Sequence, residues 1–402
     1  MEKLFLVTNP GSSSRKYALY HDDERLICSL HFETENKALI CTLKRADGSC
    51  VKLTDGFKRI ADTIRYTRDI LLKEGYLNDG VELAAILARV AATGEFFSDD
   101  HIVDEDCLRR LEEEKRRAPL HVPVIAAEIS ECLKTFPGVP VITISDSHFH
   151  HTRDDVHKYY AIDTDLADRA EIKRYGYHGL SMGAVRNYMR DQGILVPRVV
   201  ACHLGSGASL TAIKDGYSYD TTMGYTPLEG VMMATRCGDL DPAAASAIQR
   251  ELGFNEEGLE EYLNRQCGLL GVTGKTNDMR EVIELRDNSD PRAELAYDMY
   301  IYRIQRAIGE MAAAMHGLDA LVFTATIGER NAMIRHDIVA GCGYLNLFLD
   351  EAKNKAGLGD ALHVNIATKK SLPIYVIQTN ETDAMIRRAK ILLGEQKNKA
   401  QK

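Results

Sequence analysis

The stretch LFLVTNPGSSSRKYALY, residues 4–20, predicts two short strands joined by a polar turn. An apolar run at residues 4–8 is followed by NPGSSS and then by a second run at residues 16–20. Glycine, proline and serine between two such runs are typical of a hairpin turn. The same plan returns at residues 199–213, VVACHLGSGASLTAI, with LGSG as the turn. Two hairpins about half a chain apart indicate two similar halves.

The rest of the chain alternates between helical and strand patterns. Apolar residues near a period of 3.6 predict helices over residues 57–71 and 292–316. Short apolar runs predict buried strands at residues 139–145, 320–324 and 374–378. This alternation is typical of an α/β protein. The lysine- and glutamine-rich tail, residues 394–402, is expected to be a frayed end.

Length, charge and cysteine usage exclude several classes of protein. At 402 residues the chain predicts two or three lobes. Its net charge of -9 favours neither nucleic acid nor an anionic membrane as a partner. The nine cysteines form no C-x-x-C pair, which indicates reduced thiols in the cytoplasm and not a disulfide frame or zinc site. No apolar run approaches the roughly 18 residues of a membrane span, and the first residues lack a signal-peptide pattern.

The two hairpin turns are candidate phosphate sites. Residues 9–16, NPGSSSRK, offer backbone N–H groups, three hydroxyls and the charge of Lys16 to an anion. Residues 203–209, HLGSGAS, have glycines that allow close approach of a phosphate. An ordinary hydrophilic turn is the alternative for each. Their joint presence favours phosphate binding.

A third candidate is residues 220–242, DTTMGYTPLEGVMMATRCGDLDP, where charged residues and methionines lie close together. This mixture favours a partly buried polar site over a solvated loop. Arg89 follows an apolar run and needs an anionic partner, a structural salt bridge being the alternative. His121 and His178, taken alone, are typical of satisfied core histidines. The histidines at 148, 150 and 151 alternate across strand faces in this interpretation and are not expected to hold a metal.

In this order the segments resemble the acetate kinase family, within the sugar kinase/Hsp70/actin superfamily. The motifs that carry the resemblance are residues 9–16, 118–123, 175–179, 220–242, 268–280 and 379–381. The resemblance implies an α/β fold with two ribonuclease-H-like (actin-like ATPase) lobes and a central cleft. Residues 1–149 plus 383–402 would form an N-terminal lobe with the phosphate loop and the acid-binding groups. Residues 150–382 would form a C-terminal, nucleotide-binding lobe.

The same resemblance implies the activity of an acetate kinase, a homodimeric cytoplasmic enzyme with a small carboxylate and a nucleotide as its partners. ATP would phosphorylate acetate reversibly by direct in-line transfer, giving acetyl phosphate and ADP. Mg²⁺, with Mn²⁺ as the alternative, would be held by Asn9 and Glu381. The catalytic residues would be Asp146, His178, Arg236 and Arg89.

The substrate and nucleotide groups also follow from the resemblance. Arg89 would grip the carboxylate of the acid. The residues around the acid would be Arg89, Ala91, Leu120, His121, Tyr177 and Pro227. The residues around the phosphates would be Ser12, Ser14, Lys16, His203, Leu204, Gly205, Ser206 and Gly207. The residues around the nucleoside would be Asp278, Met279, Arg280, Thr326, Ile327, Gly328, Glu329 and Arg330. Because a carboxylate is already ionised at neutral pH, Asp146 is expected to order the site and not to act as a base.

Departures from the family pattern leave alternatives open. Thr326 replaces a glycine in the adenosine loop, so a pyrophosphate-linked kinase is an alternative to an ATP-linked one. Ala91 resembles propionate kinases, where acetate enzymes often have valine, and Tyr177 adds a hydroxyl to a phenylalanine position. Ser206 replaces an asparagine, and residues 180–182 differ without a physical interpretation. A non-catalytic nucleotide-binding member is the alternative from another class, while a butyrate or branched-acid kinase fits residues 220–242 less well.

Overall fold

The computed structural model describes residues 2–11, 14–35, 38–115 and 122–400, with the backbone alone for residues 395–400. The chain divides into two units, of which the first comprises Met1–His148 together with Glu381–Lys402 and the second comprises Phe149–Asn380. The boundaries predicted from the resemblance lie within two residues of these. The assignment of acid and nucleotide binding to separate lobes stays a prediction.

The first unit is built on a sheet that has eight strands among the described residues. The strands are β1 (Glu2–Pro10), β2 (Ser14–His21), β3 (Leu26–Glu35), β4 (Ala38–Arg45), β5 (Cys50–Leu53), β6 (Val81–Val90), β7 (His101–Ile102) and β8 (Val141–Ser145). Their order is β5-β4-β3-β2-β1-β6-β8-β7. The α-helices of this unit are α1 (Thr63–Lys73), α2 (Glu105–Glu114), α3 (Val122–Thr135) and the C-terminal helix (Glu381–Ala400).

The second unit has a six-stranded sheet in the part of the chain that is described. The strands are β9 (Arg198–Leu204), β10 (Ala208–Lys214), β11 (Tyr217–Thr221), β12 (Ala320–Thr324), β13 (His363–Asn365) and β14 (Ile374–Ile377), in the order β11-β10-β9-β12-β14-β13. The α-helices are α4 (Asp155–Lys158), α5 (Thr164–Ala170), α6 (Gly179–Asp191), α7 (Pro242–Leu252), α8 (Glu256–Arg265), α9 (Gly268–Thr273), α10 (Met279–Asp287), α11 (Pro291–Ala314), α12 (Ala325–Arg330), α13 (Ala332–Ala340) and α14 (Glu351–Ala356).

The two sheets share one topology at their centres. In the first, the antiparallel hairpin β1-β2 continues to β3 on one side, and β6 and β8 follow in parallel on the other. In the second, β9-β10 continues to β11, and β12 and β14 follow in parallel. The central parallel strands are covered on both faces, which is why β8 and β12 are buried along their whole length. The α/β fold with two similar halves is therefore confirmed.

The long helix predicted over residues 292–316 is confirmed as α11. Asp290 caps its first turn by accepting the N–H groups of Arg292 and Ala293, and a proline occupies the first position. Its apolar stripe is buried and includes Tyr300, Ile304 and Ile308. None of the helices in the described residues is both long and apolar enough to cross a membrane.

Three local predictions are wrong. The helix predicted from residue 57 begins only at Thr63, because Gly56 has a positive φ and Arg59 is extended, so Phe57 packs on the core from a loop. The C-terminal helix continues to Ala400 instead of fraying, since most residues of the tail are good helix formers. The histidine run lies in and just after a 3₁₀ helix, His148–His150, so strand alternation does not separate these side chains.

Candidate active site

Arg89 and Asp146 lie at the carboxyl ends of the neighbouring parallel strands β6 and β8. The register pairs Val90 with Ser145, and the Asp146 N–H donates to the Val90 carbonyl at 2.9 Å. This backbone bond extends the pairing by one residue. It brings the Nη2 of Arg89 to 3.0 Å from the Oδ2 of the buried Asp146. The parallel sheet therefore builds this charged pair from residues far apart in sequence.

A second carboxylate faces the same guanidinium. Glu381, the first residue of the C-terminal helix, places its Oε2 at 3.6 Å from the Nη1 of Arg89. Burial works against the charged guanidinium, but the carboxylates of Asp146 and Glu381 outweigh it and raise the pKa of Arg89. The Nε of Arg89 is buried and has no hydrogen-bond partner among the described residues. A buried N–H donor without a partner is unfavourable in the protein alone, and an anionic ligand that reached it would satisfy it.

The first hairpin turn brings two of the predicted residues together. Asn9 and Lys16 are directly opposite each other in β1 and β2, and both are exposed. Cβ atoms in such a pair lie about 5 Å apart on the same face of the sheet. The N–H of Gly11 closes the turn on the carbonyl of Ser14 at 2.9 Å. Ser12 lies outside the described residues.

A buried carboxylate that sequence reasoning missed supports this turn. Glu128 of α3 accepts hydrogen bonds from the Thr8 hydroxyl at 3.0 Å and the Tyr17 hydroxyl at 2.8 Å. The Nε of Arg15 lies 3.6 Å from Glu128, and its Nη1 donates to the Gly11 carbonyl at 2.6 Å. Burial raises the pKa of Glu128, although these hydrogen bonds and Arg15 act against the rise. The backbone of the turn is thus tied to a charged network beneath the sheet.

The second hairpin turn is flanked by two stacked histidine rings. His178, at the start of α6, and His203, in β9, have ring centroids 4.1 Å apart with 20° between the planes. The Nδ1 of His178 lies 2.9 Å from the hydroxyl oxygen of Ser209. The Nδ1 of His203 lies 2.8 Å from that of Ser181. Sequence reasoning selected both histidines and missed both serines.

The glycines of this turn let the backbone approach these side chains. A Cβ on residue 207 would lie 3.1 Å from the Nε2 of His178 and 3.4 Å from the Nη1 of Arg236. A Cβ on residue 205 would lie 3.7 Å from the Nε2 of His203. The Gly205 N–H donates to the Gly207 carbonyl at 3.0 Å, which keeps the turn tight. His178, His203 and Arg236 therefore converge on one glycine turn.

Backbone contacts connect the turn to the segment that carries Arg236. The Ala234 N–H donates to the carbonyl of the exposed Ser206 at 3.1 Å. The Nη1 of Arg236 donates to the Pro227 carbonyl at 3.2 Å. Leu204 is fully buried, so only its backbone is available to a phosphate.

Asp239 forms two hydrogen bonds with the backbone of Gly230 in the same segment. Its carboxylate accepts the Gly230 N–H at 2.8 Å, and its own N–H donates to the Gly230 carbonyl at 2.8 Å. Arg306 of α11 approaches the carboxylate at 3.4 Å. Three methionines of the segment are buried, in agreement with a partly buried segment and not a solvated loop: Met223, Met232 and Met233.

The predicted nucleoside residues lie at two helix starts. Asp278 caps α10 by accepting the Arg280 N–H at 2.9 Å, and its carboxylate pairs with the Arg280 guanidinium at 2.5 Å. The hydrogen bond from Arg280 lowers the pKa of Asp278. Met279 is buried. The exposed Arg280 is thus held by its neighbour.

The predicted adenosine loop is a helix. Residues 326–330 belong to α12, with Thr326 and Arg330 exposed and Gly328 buried. The carboxylate of Glu329 accepts the N–H of Ala325 at 3.0 Å and that of Thr379 at 3.4 Å, so it caps the helix start. A Cβ on residue 205 would lie 3.7 Å from the Cβ of Ala325, which places α12 beside the glycine turn. Ile327 is half-buried.

The residues predicted for the alkyl end of the acid are described in part. Ala91 directly follows β6 in the first unit. In the second unit, the Tyr177 ring is buried and its hydroxyl donates to the Tyr225 carbonyl at 2.7 Å. Leu120 and His121 lie outside the described residues.

The residues predicted to hold a metal fit Mg²⁺ by the chemistry of their side chains. Among the described residues no cluster of three or more histidines, cysteines, aspartates or glutamates could hold a metal ion. Mg²⁺ usually takes one or two carboxylates and completes its shell with phosphate oxygens and waters. The Glu381 carboxylate and the Asn9 amide are oxygen donors of the required kind. Of the histidine run, His148 contacts Asp99 at 2.9 Å and His150 contacts Ser218 at 2.8 Å.

Comparisons with known proteins agree in sequence and in fold. The acetokinase family matches residues 4–388 of the chain. The sequence is 34% identical over 384 residues to an acetate kinase of Clostridium botulinum (strain Okra / Type B1), covering 94% of this chain and 96% of that protein. The structure is similar to that of a propionate kinase from Francisella tularensis, with a TM-score of 0.88, 33% identity and coverage of 96% and 98%. It is also similar to an acetate kinase of Porphyromonas gingivalis, with a TM-score of 0.85, 30% identity and coverage of 97% and 99%.

Proposed function

We propose, since the chain belongs to the acetokinase family, that it is an acetate kinase, which transfers a phosphoryl group reversibly between ATP and acetate. The forward products are acetyl phosphate and ADP. The relationship to the acetate kinases of Clostridium botulinum and Porphyromonas gingivalis over nearly the whole chain supports this activity.

The observation that carries the proposal is the guanidinium of Arg89. Asp146 and Glu381 hold it at two of its nitrogens, while its buried Nε has no hydrogen-bond partner among the described residues. An arginine fixed in this way binds a planar carboxylate with a defined orientation. We assign the carboxylate of the acid to this group.

The acid needs no general base. Carboxylic acids have pKa values near 4, so the acceptor oxygen is already ionised at neutral pH. The carboxylate of Asp146 is instead a positioning group, because it is buried and bonded to Arg89. Loss of Asp146 is expected to lower turnover more than it weakens acid binding.

Charge on the transferring phosphoryl group is the main problem that the site must solve. Transfer spreads negative charge over the equatorial oxygens, and fixed donors that face these oxygens lower the barrier. Arg236, His178 and His203 are assigned to this task, supported by their convergence on the glycine turn. Ser14 and Lys16 of the first turn, with Ser12, are assigned to the phosphates of the donor.

Asn9 and Glu381 are the residues proposed to hold Mg²⁺. The bound ion would neutralise part of the negative charge of the donor phosphates. Glu381 has a further function without metal, because its carboxylate lies 3.6 Å from Arg89 and helps to orient the guanidinium. Replacement of Glu381 by glutamine is therefore expected to weaken both metal binding and acid binding.

Propionate is the second candidate substrate. Ala91 leaves room for roughly one methylene where acetate enzymes often have valine, and the fold is similar to that of a propionate kinase.

The phosphoryl donor has an alternative as well, pyrophosphate, because Thr326 at the start of α12 adds bulk near the proposed nucleoside position. We favour ATP because Asp278 and Arg280 are both present and ordered by each other.

A hydroxamate assay tests these assignments together. Acetate, propionate and butyrate are each combined with ATP, GTP and pyrophosphate, and the acyl phosphate is trapped by hydroxylamine. We expect the highest kcat/KM with acetate and ATP, and with propionate second. If acyl phosphate forms with pyrophosphate but not with ATP or GTP, the phosphoryl donor is pyrophosphate. If no pair forms acyl phosphate, the chain is a non-catalytic nucleotide-binding relative.

We propose a homodimer in the cytoplasm, where the nine free cysteines of the chain would stay reduced. Light scattering coupled to size-exclusion chromatography is expected to give twice the chain mass of 44.8 kDa. A mass of one chain across the concentration range would contradict the dimer.

A further inference from the structure

Three histidines of the second unit share one arrangement, in which a serine hydroxyl contacts Nδ1. The contact distances are 2.8 Å for His150 with Ser218, 2.9 Å for His178 with Ser209 and 2.8 Å for His203 with Ser181. A neutral imidazole carries its proton on one nitrogen only, so the partner of one nitrogen determines the role of the other. The three pairs therefore bear on the tautomer of each ring.

His150 shows which tautomer this arrangement supports. Its Nε2 lies 2.9 Å from the carbonyl oxygen of Tyr177, which can only accept. The Nε2 must therefore carry a proton, and in the neutral ring the Nδ1 accepts from the hydroxyl of Ser218. This ring has no assigned part in the reaction and serves as an internal reference for the other two.

The hydroxyl protons of Ser209 and Ser181 have no second acceptor among the described residues. Ser181 and Ser209 are fully buried, and the histidine Nδ1 is the one hydrogen-bond partner of each hydroxyl among the described residues. If the imidazole donated from Nδ1, each hydroxyl proton would be buried without an acceptor, which is unfavourable. Donation from the hydroxyl to Nδ1 satisfies both groups and places the ring proton on Nε2.

We propose that Ser181 and Ser209 are positioning residues that hold His203 and His178 as neutral rings with their protons on Nε2. Both Nε2 atoms border the glycine turn, because Cβ atoms on residues 205 and 207 would approach them at 3.7 and 3.1 Å. The two serines thus give the turn a pair of N–H donors. Two charged rings stacked 4.1 Å apart would repel each other, which disfavours the doubly charged pair.

In this assignment, Arg236 and the two imidazoles have different functions at the glycine turn. Arg236 supplies positive charge, and the two imidazoles supply fixed hydrogen bonds that need no proton exchange during turnover. The catalytic meaning rests on the proposed phosphoryl transfer, but the tautomers themselves do not. They can be measured on the protein without any substrate.

The first test is ¹⁵N NMR of the full chain labelled at its histidines, at pH 7 and without substrate. Single His→Gln variants at 150, 178 and 203 assign the resonances. We expect both catalytic rings to match the His150 reference, with Nε2 protonated and Nδ1 not. A proton on the Nδ1 of either ring, or a doubly protonated ring, would overturn the proposal for that pair.

The second test removes each hydroxyl. Ser181→Ala should change the ¹⁵N signals of His203 to those of a tautomer mixture, and Ser209→Ala should do the same for His178. Ser218→Ala is the matched control, because it should alter the His150 signals alone. An unchanged tautomer in the Ser181→Ala or Ser209→Ala protein would show that the hydroxyl does not hold the ring, and would refute the assignment.

Kinetics then link the tautomer to the reaction. Each Ser→Ala change should lower kcat by about 10- to 100-fold with little change in the KM for acetate. Ser→Thr, which keeps the hydroxyl, should restore the tautomer and most of kcat. Ser246→Ala on the exposed face of α7 is the control for removal of a serine hydroxyl. A loss of kcat with the tautomer intact would refute the positioning role, whereas an inactive wild type with the expected tautomers would contradict only the kinase activity.

Discussion

The turn between β1 and β2 is supported by buried charge, whereas the turn between β9 and β10 is supported by neutral hydroxyl–imidazole pairs. Both turns join the first two strands of sheets with the same central topology. Beneath the first, Arg15 binds the Gly11 carbonyl and lies near the buried Glu128. Beside the second, Ser181 and Ser209 contact two stacked rings.

A repeated fold need not repeat its chemistry. A buried ion pair that loses one partner leaves an uncompensated charge, so the first turn should be sensitive in stability. A hydroxyl beside a neutral ring costs little when it is removed, so the second turn should be sensitive in turnover.

The largest expected effect is on the folding stability of the first turn. Glu128→Ala removes the carboxylate that accepts hydrogen bonds from the hydroxyls of Thr8 and Tyr17 and pairs with Arg15. The charge of Arg15 then stays buried without this partner. We expect the free energy of unfolding to fall by about 3–5 kcal/mol, measured by urea denaturation. Glu131→Ala, one turn further along α3, removes ion pairs with the exposed side chains of Arg65 and Lys134 and should cost less than about 1 kcal/mol. Equal losses would contradict the buried-charge interpretation.

At the second turn, substitution is expected to lower kcat more than folding stability. Arg236→Ala removes the positive charge at the glycine turn and should lower kcat by about 100- to 1,000-fold, as loss of a transition-state donor does. The thermal midpoint should stay close to that of the parent protein. Arg250→Ala, on the exposed face of α7, is the matched charge control. A large fall in the midpoint with kcat intact would make Arg236 a structural residue.

A pH series tests the buried carboxylate of the first turn without substrate. Burial raises the pKa of Glu128 above its ordinary value of 4.5. Its contribution to stability is then fully present below that value and is lost as the pH rises through the raised pKa. Relative to Glu128→Gln, the parent protein should therefore lose stability as the pH rises from about 4.5 toward neutrality. A constant difference across the series, measured by urea denaturation, would show that the pKa is not raised.

The sequence predicts those features that depend on local pattern or on strand ends. The turn-forming residues predict both hairpins, and the period of 3.6 predicts α11. The placement of Arg89 after an apolar run was enough to require an anionic partner, which the parallel register supplies as Asp146. The other site residues were selected from the family resemblance and not from local pattern, and their roles stay predictions.

The supports of the site could not be predicted because they are tertiary contacts. Ser181 and His203 are separated by 22 positions, and Ser209 and His178 by 31, with no periodic pattern that joins them. Glu128 carries a weak signal, since it interrupts the apolar run VPVIAAEI of α3. Its partners in β1 and β2 become visible only when the helix packs on the sheet.

The smallest expected effect concerns the choice between acetate and propionate, for which Ala91 of the first unit and Tyr177 of the second are the predicted residues. Ala91→Val adds two methyl groups after β6 and should lower the propionate/acetate ratio of kcat/KM by about fivefold, or about 1 kcal/mol. Tyr177→Phe should change this ratio by less than about twofold, because the Tyr177 hydroxyl is already bonded to the Tyr225 carbonyl and is not free to enter a pocket. Both ratios come from the hydroxamate assay with ATP. If Tyr177→Phe shifts the ratio and Ala91→Val does not, the space for the alkyl end is determined by the second unit, and the proposed role of Ala91 is wrong.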